Sequence, residues 1–375
     1  MSQTRNNNSP RKFRAPGRVN LIGEHTDYND GFVMPAAINL SVFASVWPRA
    51  DRKLQINSEN FDDEIEFDLD QPTRRSEHHW SDYAVGVAVM LERAGHRLRG
   101  ARLELRGEVP LGAGLSSSAA VEVATACALV ANSNLTIDRR ELALLCQQAE
   151  NEYVGARVGI MDQFVSLFGK EQKALLLDCR SLDYKLLPLP DTVNLVICNT
   201  MVKHALASSA YNERRAQCEA GVKHLGQFLP NVRALRDVTL EQLEQYGRDL
   251  DAVVYRRCLH VITENARVLW AAEALEQHDL HRFGELMAAS HRSLRDDYEV
   301  SSEELDLMVE LAKKVEGVYG ARMTGGGFGG STVNLVDVAK VEEFKSYVAS
   351  QYEHITKLKP EIYVCEASNG AEEIQ

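Results

Sequence analysis

The sequence predicts an α+β fold in two domains, on three observations. At 375 residues the chain exceeds the ~250–300 residues at which a single core stops growing. Segments with the period of strands and segments with helical spacing both occur, mixed without the strict alternation that builds a doubly wound sheet. No repeat of about 20–50 residues recurs, which sets a solenoid aside.

Taken in order, the polar opening Met1–Lys12 is expected to be disordered. Phe13–Asn20 leads into a polar, glycine-punctuated segment up to Gly31, and an apolar run follows over Phe32–Val46. Ile65–Asp70 alternates apolar with acidic residues, so a half-buried strand with a wet acidic face is predicted. Arg102–Val109 alternates again through Leu103 and Leu105 and stops at Pro110, as a strand entering a loop does. Leu115, Ala119, Val123, Ala124, Cys127 and Ala128 then recur at helical spacing. Asp138 with Glu141 marks a capped helix start, with the helix reaching to about Tyr153. Strand character returns over 174–200, where Pro188 and Pro190 place the domain boundary, giving domains 1–188 and 189–375. The chain is charged and helical from about 210 to 315, Ser331–Val336 is strand-like, and Glu361–Cys365 is the last predicted strand.

Composition narrows the function. Forty-two basic against 54 acidic residues leave a net charge of −12, which repels a phosphate backbone and argues against nucleic acid as a partner. Seven scattered cysteines without a CxxC pair read as reduced thiols of a cytoplasmic protein. The opening residues lack the apolar core of a secretory signal, and no run of about 18 apolar residues would span a membrane.

The chemistry gathers in a few segments. In Leu111–Ala120, Gly112 and Gly114 flank the small Ala113, and Leu115 is followed by Ser116, Ser117 and Ser118 opening a helix. The first amides of a helix lack partners and carry partial positive charge, so this start is a ready phosphate site or, more plainly, a serine-rich cap. It is not a Walker loop, since no Gly-Lys-Ser/Thr follows. The second cluster, Gly325–Gly330, has five glycines in six positions, including Gly325, Gly326 and Gly327. Such density points to a backbone-shape or close-approach role, or to a strained turn into the next strand. Gly17–Gly31 packs Arg18, Glu24, His25, Asp27 and Asp30 into one turn-rich stretch, which suits a polyhydroxylated ligand but also a solvated loop. Asp162, alone among apolar neighbours in Gly159–Phe164, could serve as base, charge stabiliser or helix cap. Glu150 by itself reads as a surface carboxylate.

Together and in this order, the segments resemble the galactokinases of the GHMP small-molecule kinase family, from about Ala15 to the end of the chain. Gly17–Gly31 is similar to the galactokinase signature, Pro110–Ala120 to the phosphate loop, Gly159–Phe164 to the catalytic aspartate segment and Met323–Gly330 to the third glycine motif. The resemblance implies a ribosomal-S5-domain-2-like N-terminal domain, a ferredoxin-like C-terminal domain and a site in the cleft between them. It implies transfer of the ATP γ-phosphoryl group to the anomeric hydroxyl of α-D-galactose, giving galactose 1-phosphate and ADP.

Carried over by the resemblance, Asp162 and Arg18 are catalytic, and Glu24, His25, Thr26, Asp27, Gly159, Asp162 and Tyr211 bind the sugar. Ser58 and Trp80 line the adenine pocket, while Gly112–Ser118 and Gly325–Gly327 hold the phosphates. Ser118 and Glu150 hold Mg²⁺. Ala113 stands where a glycine is common, which is harmless if its backbone angle is negative. A monomer with galactose and ATP as its only partners is implied. The alternatives are a kinase for another sugar of this class, a sugar sensor without turnover, and a glycosidase.

Overall fold

The structure is a computed structural model in which residues 9–73, 78–203 and 207–375 are described. The first eight residues of the segment expected to be disordered lie outside that set. Arg11 and Lys12 do not follow the expectation: the strand Arg11–Asn20 already begins there, because Lys12 pairs with both Ser45 and Ile374.

Alternating apolar residues build the first sheet, in the order Glu372–Ile374, Arg11–Asn20, Pro35–Pro48, Ala101–Gly107, Lys53–Ser58, Asp63–Asp68. Neighbours are antiparallel except Lys53–Ser58 beside Ala101–Gly107. In Asp63–Asp68 the side chains of Ile65 and Phe67 face the core, whereas Glu64 and Glu66 are exposed, as the period predicts. The helix Ser117–Asn132 lays Ala120, Val123 and Ala124 into the core and packs on Arg11–Asn20 and Pro35–Pro48, with Asp82–Arg93 beside it.

The second sheet has the order Val318–Thr324, Gly329–Asp337, Val193–Lys203, Glu361–Cys365, and all its pairs are antiparallel. Glu303–Ala312 and Val341–Thr356 cover it, burying Met308, Phe344, Val348 and Tyr352. A small third sheet joins Phe32–Val33, Lys173–Asp178 and Tyr184–Pro188. The predicted helical region resolves into Ala207–Leu225, Leu240–Tyr246, Ala252–Glu276, Leu280–Asp296 and Glu303–Ala312. Four of these starts are capped by side chains of Thr239, Asp251, Asp279 and Ser302.

Asp138 caps Arg139–Gln148 by accepting from the amides of Arg140 and Glu141, and the chain then loosens into a π-helical segment, Ala149–Val154. That widened turn carries Glu150 inward, where it is 6% exposed instead of lying at the surface. Three strands were not predicted: Lys53–Ser58, Val318–Thr324 and Glu372–Ile374, the last returning from the second half of the chain to the first sheet. All seven cysteines are unpaired, and among the described residues no helix is long and apolar enough to cross a membrane.

Candidate active site

Arg18 sits near the end of the first strand, just past a register shift between Pro16 and Arg18. A Cβ on Gly17 would lie 2.6 Å from the carbonyl oxygen of Leu115, so only glycine lets the strand pass this close to the serine loop. The Arg18 amide donates to that same carbonyl at 3.1 Å, and its Nη1 donates to the Gly114 carbonyl at 2.7 Å. The remaining edge of the guanidinium meets Asp162, Nε to Oδ1 at 2.7 Å and Nη2 to Oδ2 at 2.8 Å. Burial works against the charge of Arg18, but Asp162 and Glu24 outweigh it and its pKa is raised.

The helix Ser117–Asn132 starts from Ser116, whose φ of 58° is left-handed and whose side chain makes no capping bond. The capping alternative is therefore set aside: the Ser116 hydroxyl donates to Asp162 Oδ2 instead. The leading amides of this helix are left without a side-chain cap, the condition for an anion site. Ala113 is not among the positive-φ residues, so its Cβ is accommodated without strain. Gly325 lies against Gly114, and Ser331 donates to the Ala113 carbonyl at 2.7 Å, so the two glycine segments meet.

These elements wall a cavity of about 560 Å³ lined by Arg18, Glu24, His25, Asp27, Gly159, Asp162, Tyr211 and Gly325–Gly327. Residues predicted from four distant segments thus converge. Thr26 is the exception. It lies behind the loop, fully buried, and its hydroxyl is spent on the carbonyls of Gly23 and Phe32.

Glu24 is held from the far side of the cleft. Its Oε1 accepts from the Gly325 amide at 2.7 Å and the Thr324 hydroxyl at 3.2 Å, with Arg322 Nη2 3.6 Å away. Burial raises its pKa, against the pull of Arg322 and Arg18. His25 is pushed down to about 3, first by burial and then by His260, so its imidazole is neutral near pH 7. Its Nδ1 meets the Tyr28 hydroxyl at 2.8 Å, and Tyr28 meets Tyr298 at 2.8 Å. Asp27 is pushed up to about 7 by burial and by the charge of Asp162.

A second, narrower cavity of about 200 Å³ opens beside the same helix start, lined by Ser58, Asn60, Phe61, Trp80, Tyr83, Ser117 and Ser118. Trp80 stacks on Phe61 at 5.8 Å and donates to Asp63 at 2.8 Å. Behind Ser118, the buried Glu150 is pushed up to about 7, by burial first and the charge of Asp162 next, and it takes a hydrogen bond from Ser118. Among the described residues no group of three His, Cys, Asp or Glu side chains could hold a metal ion alone. A hydroxyl and a buried carboxylate nevertheless fit a hard cation that completes its shell with phosphate oxygens and water.

Sequence reading missed the residues behind the site. Arg322, fully buried, and Glu264, which accepts from the Gly23 amide at 2.9 Å, brace the signature loop. Tyr298, Glu122 and Gln163 are also buried partners. A charged residue in a helix or strand reads as solvated, so only its place beside a glycine motif could have marked Arg322.

An uncapped helix start facing a fixed carboxylate across a two-part cleft is the equipment of a phosphoryl-transferring enzyme, and the fold around it is that of the GHMP kinases. Models of the GHMP kinase N-terminal and C-terminal domains match residues 82–170 and 271–354, and the galactokinase galactose-binding signature matches residues 3–48. A galactokinase of Roseiflexus sp. (strain RS-1) is 48% identical over 95% of this chain and 91% of its own, and one of Chloroflexus aggregans is 47% identical over 95% and 92%. The crystal structure of Lactococcus lactis galactokinase complexed with galactose superposes with a TM-score of 0.94 at 39% identity, covering 98% of this chain and 96% of that one. Methanococcus jannaschii mevalonate kinase shares the fold, with a TM-score of 0.69 at 17% identity over 96% and 99% of the two chains. The chain belongs to the galactokinase family and is a sugar phosphotransferase.

Proposed function

We propose that the protein transfers the γ-phosphoryl group of ATP to the anomeric hydroxyl of α-D-galactose, with the sugar in the larger cavity and adenine beside Trp80. The observation that carries this reading is the Asp162 carboxylate, fixed by two bonds from Arg18 and one from Ser116 at the meeting point of sugar cavity and helix start. Asp162 then accepts the proton of the anomeric hydroxyl, and Arg18 stabilises negative charge developing beside it. Glu24, His25, Asp27 and Tyr211 would recognise the remaining hydroxyls, and a sugar lacking one would leave a buried polar group unpaired.

The uncapped amides after Ser116 and the glycines Gly112, Gly114 and Gly325–Gly327 would hold the triphosphate, which needs positioning more than covalent chemistry. Mg²⁺, held by Ser118 and Glu150, would neutralise phosphate charge when bound. The protein acts as a cytoplasmic monomer in this reading. The test is ADP release with ATP and Mg²⁺ across a panel of galactose, N-acetylgalactosamine, arabinose and glucose. Galactose should give the highest kcat/KM; preference for another sugar, or binding without ADP release, would overturn the assignment.

A further inference from the structure

We propose that Gln163, anchored on Glu122, is a positioning residue that orients Glu150 toward the nucleotide-bound cation; this deepens, and rests on, the metal reading above. Gln163 follows Asp162 in the helix Met161–Phe168, so successive side chains diverge, Asp162 toward the cavity and Gln163 into the interior, where it is fully buried. Its Nε2 donates to Glu150 Oε2 at 2.7 Å and to Glu122 Oε2 at 2.9 Å. A primary amide has two N–H groups, so both bonds are made at once, and two acceptors on one side decide which end is nitrogen.

Glu122 is an expensive residue to place here. It is fully buried one helical turn beyond Ser118, and its Oε1, like Gln163 Oε1, has no hydrogen-bond partner. A leucine would fill that space with no unsatisfied oxygen. What the carboxylate supplies is an acceptor that fixes the Gln163 amide, which in turn fixes Glu150 while Ser118 reaches the same carboxylate. An amide does this without neutralising Glu150, whereas a lysine in its place would cancel the charge a cation needs. Outer partners of this kind orient ligands and typically change metal affinity by about 10–100-fold when lost.

The test is Mn²⁺ affinity of the full-length protein in the presence of a non-hydrolysable ATP analogue, read by electron paramagnetic resonance, with galactose affinity measured in parallel by calorimetry. Gln163→Leu should weaken Mn²⁺ binding about 10–100-fold and leave galactose affinity within about twofold. Glu122→Met should weaken Mn²⁺ binding likewise, while Glu122→Gln, which keeps an acceptor oxygen, should not. Parallel loss of galactose and Mn²⁺ affinity would mean a merely structural role and overturn the proposal. So would wild-type Mn²⁺ affinity in Gln163→Leu when Glu150→Gln is weakened. If Glu150→Gln itself binds Mn²⁺ normally, the metal assignment falls and the role of Gln163 with it. Should Gln163→Leu fail to fold, equal affinities for the two Glu122 variants would be decisive against it.

Discussion

Arg18 and Asp162, 144 residues apart in sequence, meet through parallel hydrogen bonds of 2.7 and 2.8 Å, while Nη1 of the same guanidinium holds the Gly114 carbonyl. One side chain therefore ties the acceptor end of the reaction to the loop expected to grip the donor. Asp162→Asn should lower turnover by about 10²–10⁴-fold while galactose binding by calorimetry stays intact. Near-wild-type turnover would reject an essential carboxylate. Arg18→Lys cannot restore the fork geometry and should also lose activity.

Gly159 has no room for a side chain. A Cβ there would lie 2.0 Å from Asp27 Oδ2, in collision with the carboxylate. Gly159→Ala should displace Asp27 and raise the galactose KM, with a total loss in kcat/KM on the order of 10²-fold, as an ångström-scale misplacement does. The ATP KM should stay unchanged; a selective rise in the ATP KM would contradict the placement of the sugar.

The raised pKa of Asp27 predicts a pH signature in the ligand-free protein. Its carboxyl titrates at about 7 when folded, against an ordinary value of 3.8. Between those values the folded protein holds a proton that the unfolded chain has released. The resulting stability is complete below the lower value and lost as pH rises through the upper one. The fall in Tm between about pH 4 and pH 8 should therefore be shallower in Asp27→Asn than in wild type. Comparing the pair cancels the contributions of His25 and Glu150, and identical slopes would refute the shift.

Trp80 offers an optical readout of the nucleotide. Its indole lines the smaller cavity next to Ser58 and Ser118. Nucleotide binding should quench tryptophan fluorescence. Trp80→Ala should raise the ATP KM by about 5–100-fold, the range for loss of one base–aromatic stack, with the galactose KM unaffected. An unchanged ATP KM would move adenine elsewhere.

How much of this was legible follows from what each signal encodes. Strand alternation in Ile65–Asp70, the cap at Asp138 and the helical spacing after Leu115 are local, and the structure keeps all of them. The chemistry-bearing loops were visible because glycine clusters and mixed charges are unusual at short range. The burial of Glu150 was not, because it depends on a π-helical turn no local preference announces. Nor could Arg322, Glu264 or Gln163 be found: each is defined by partners hundreds or tens of residues away. Thr26 was misread for the converse reason, since adjacency to Asp27 says nothing about which side of a tight loop its hydroxyl faces.

The pairing of Glu372–Ile374 with Lys12–Arg14 brings the opening and closing strands into one ladder. Joining them by a short linker and reopening the backbone in a surface turn far from the cleft would preserve the connectivity of every catalytic group. A circularly permuted version should thus be an active enzyme, whereas cutting the molecule into two fragments at a single bond between Arg14 and Glu372 would strand one rail of that ladder on the wrong piece.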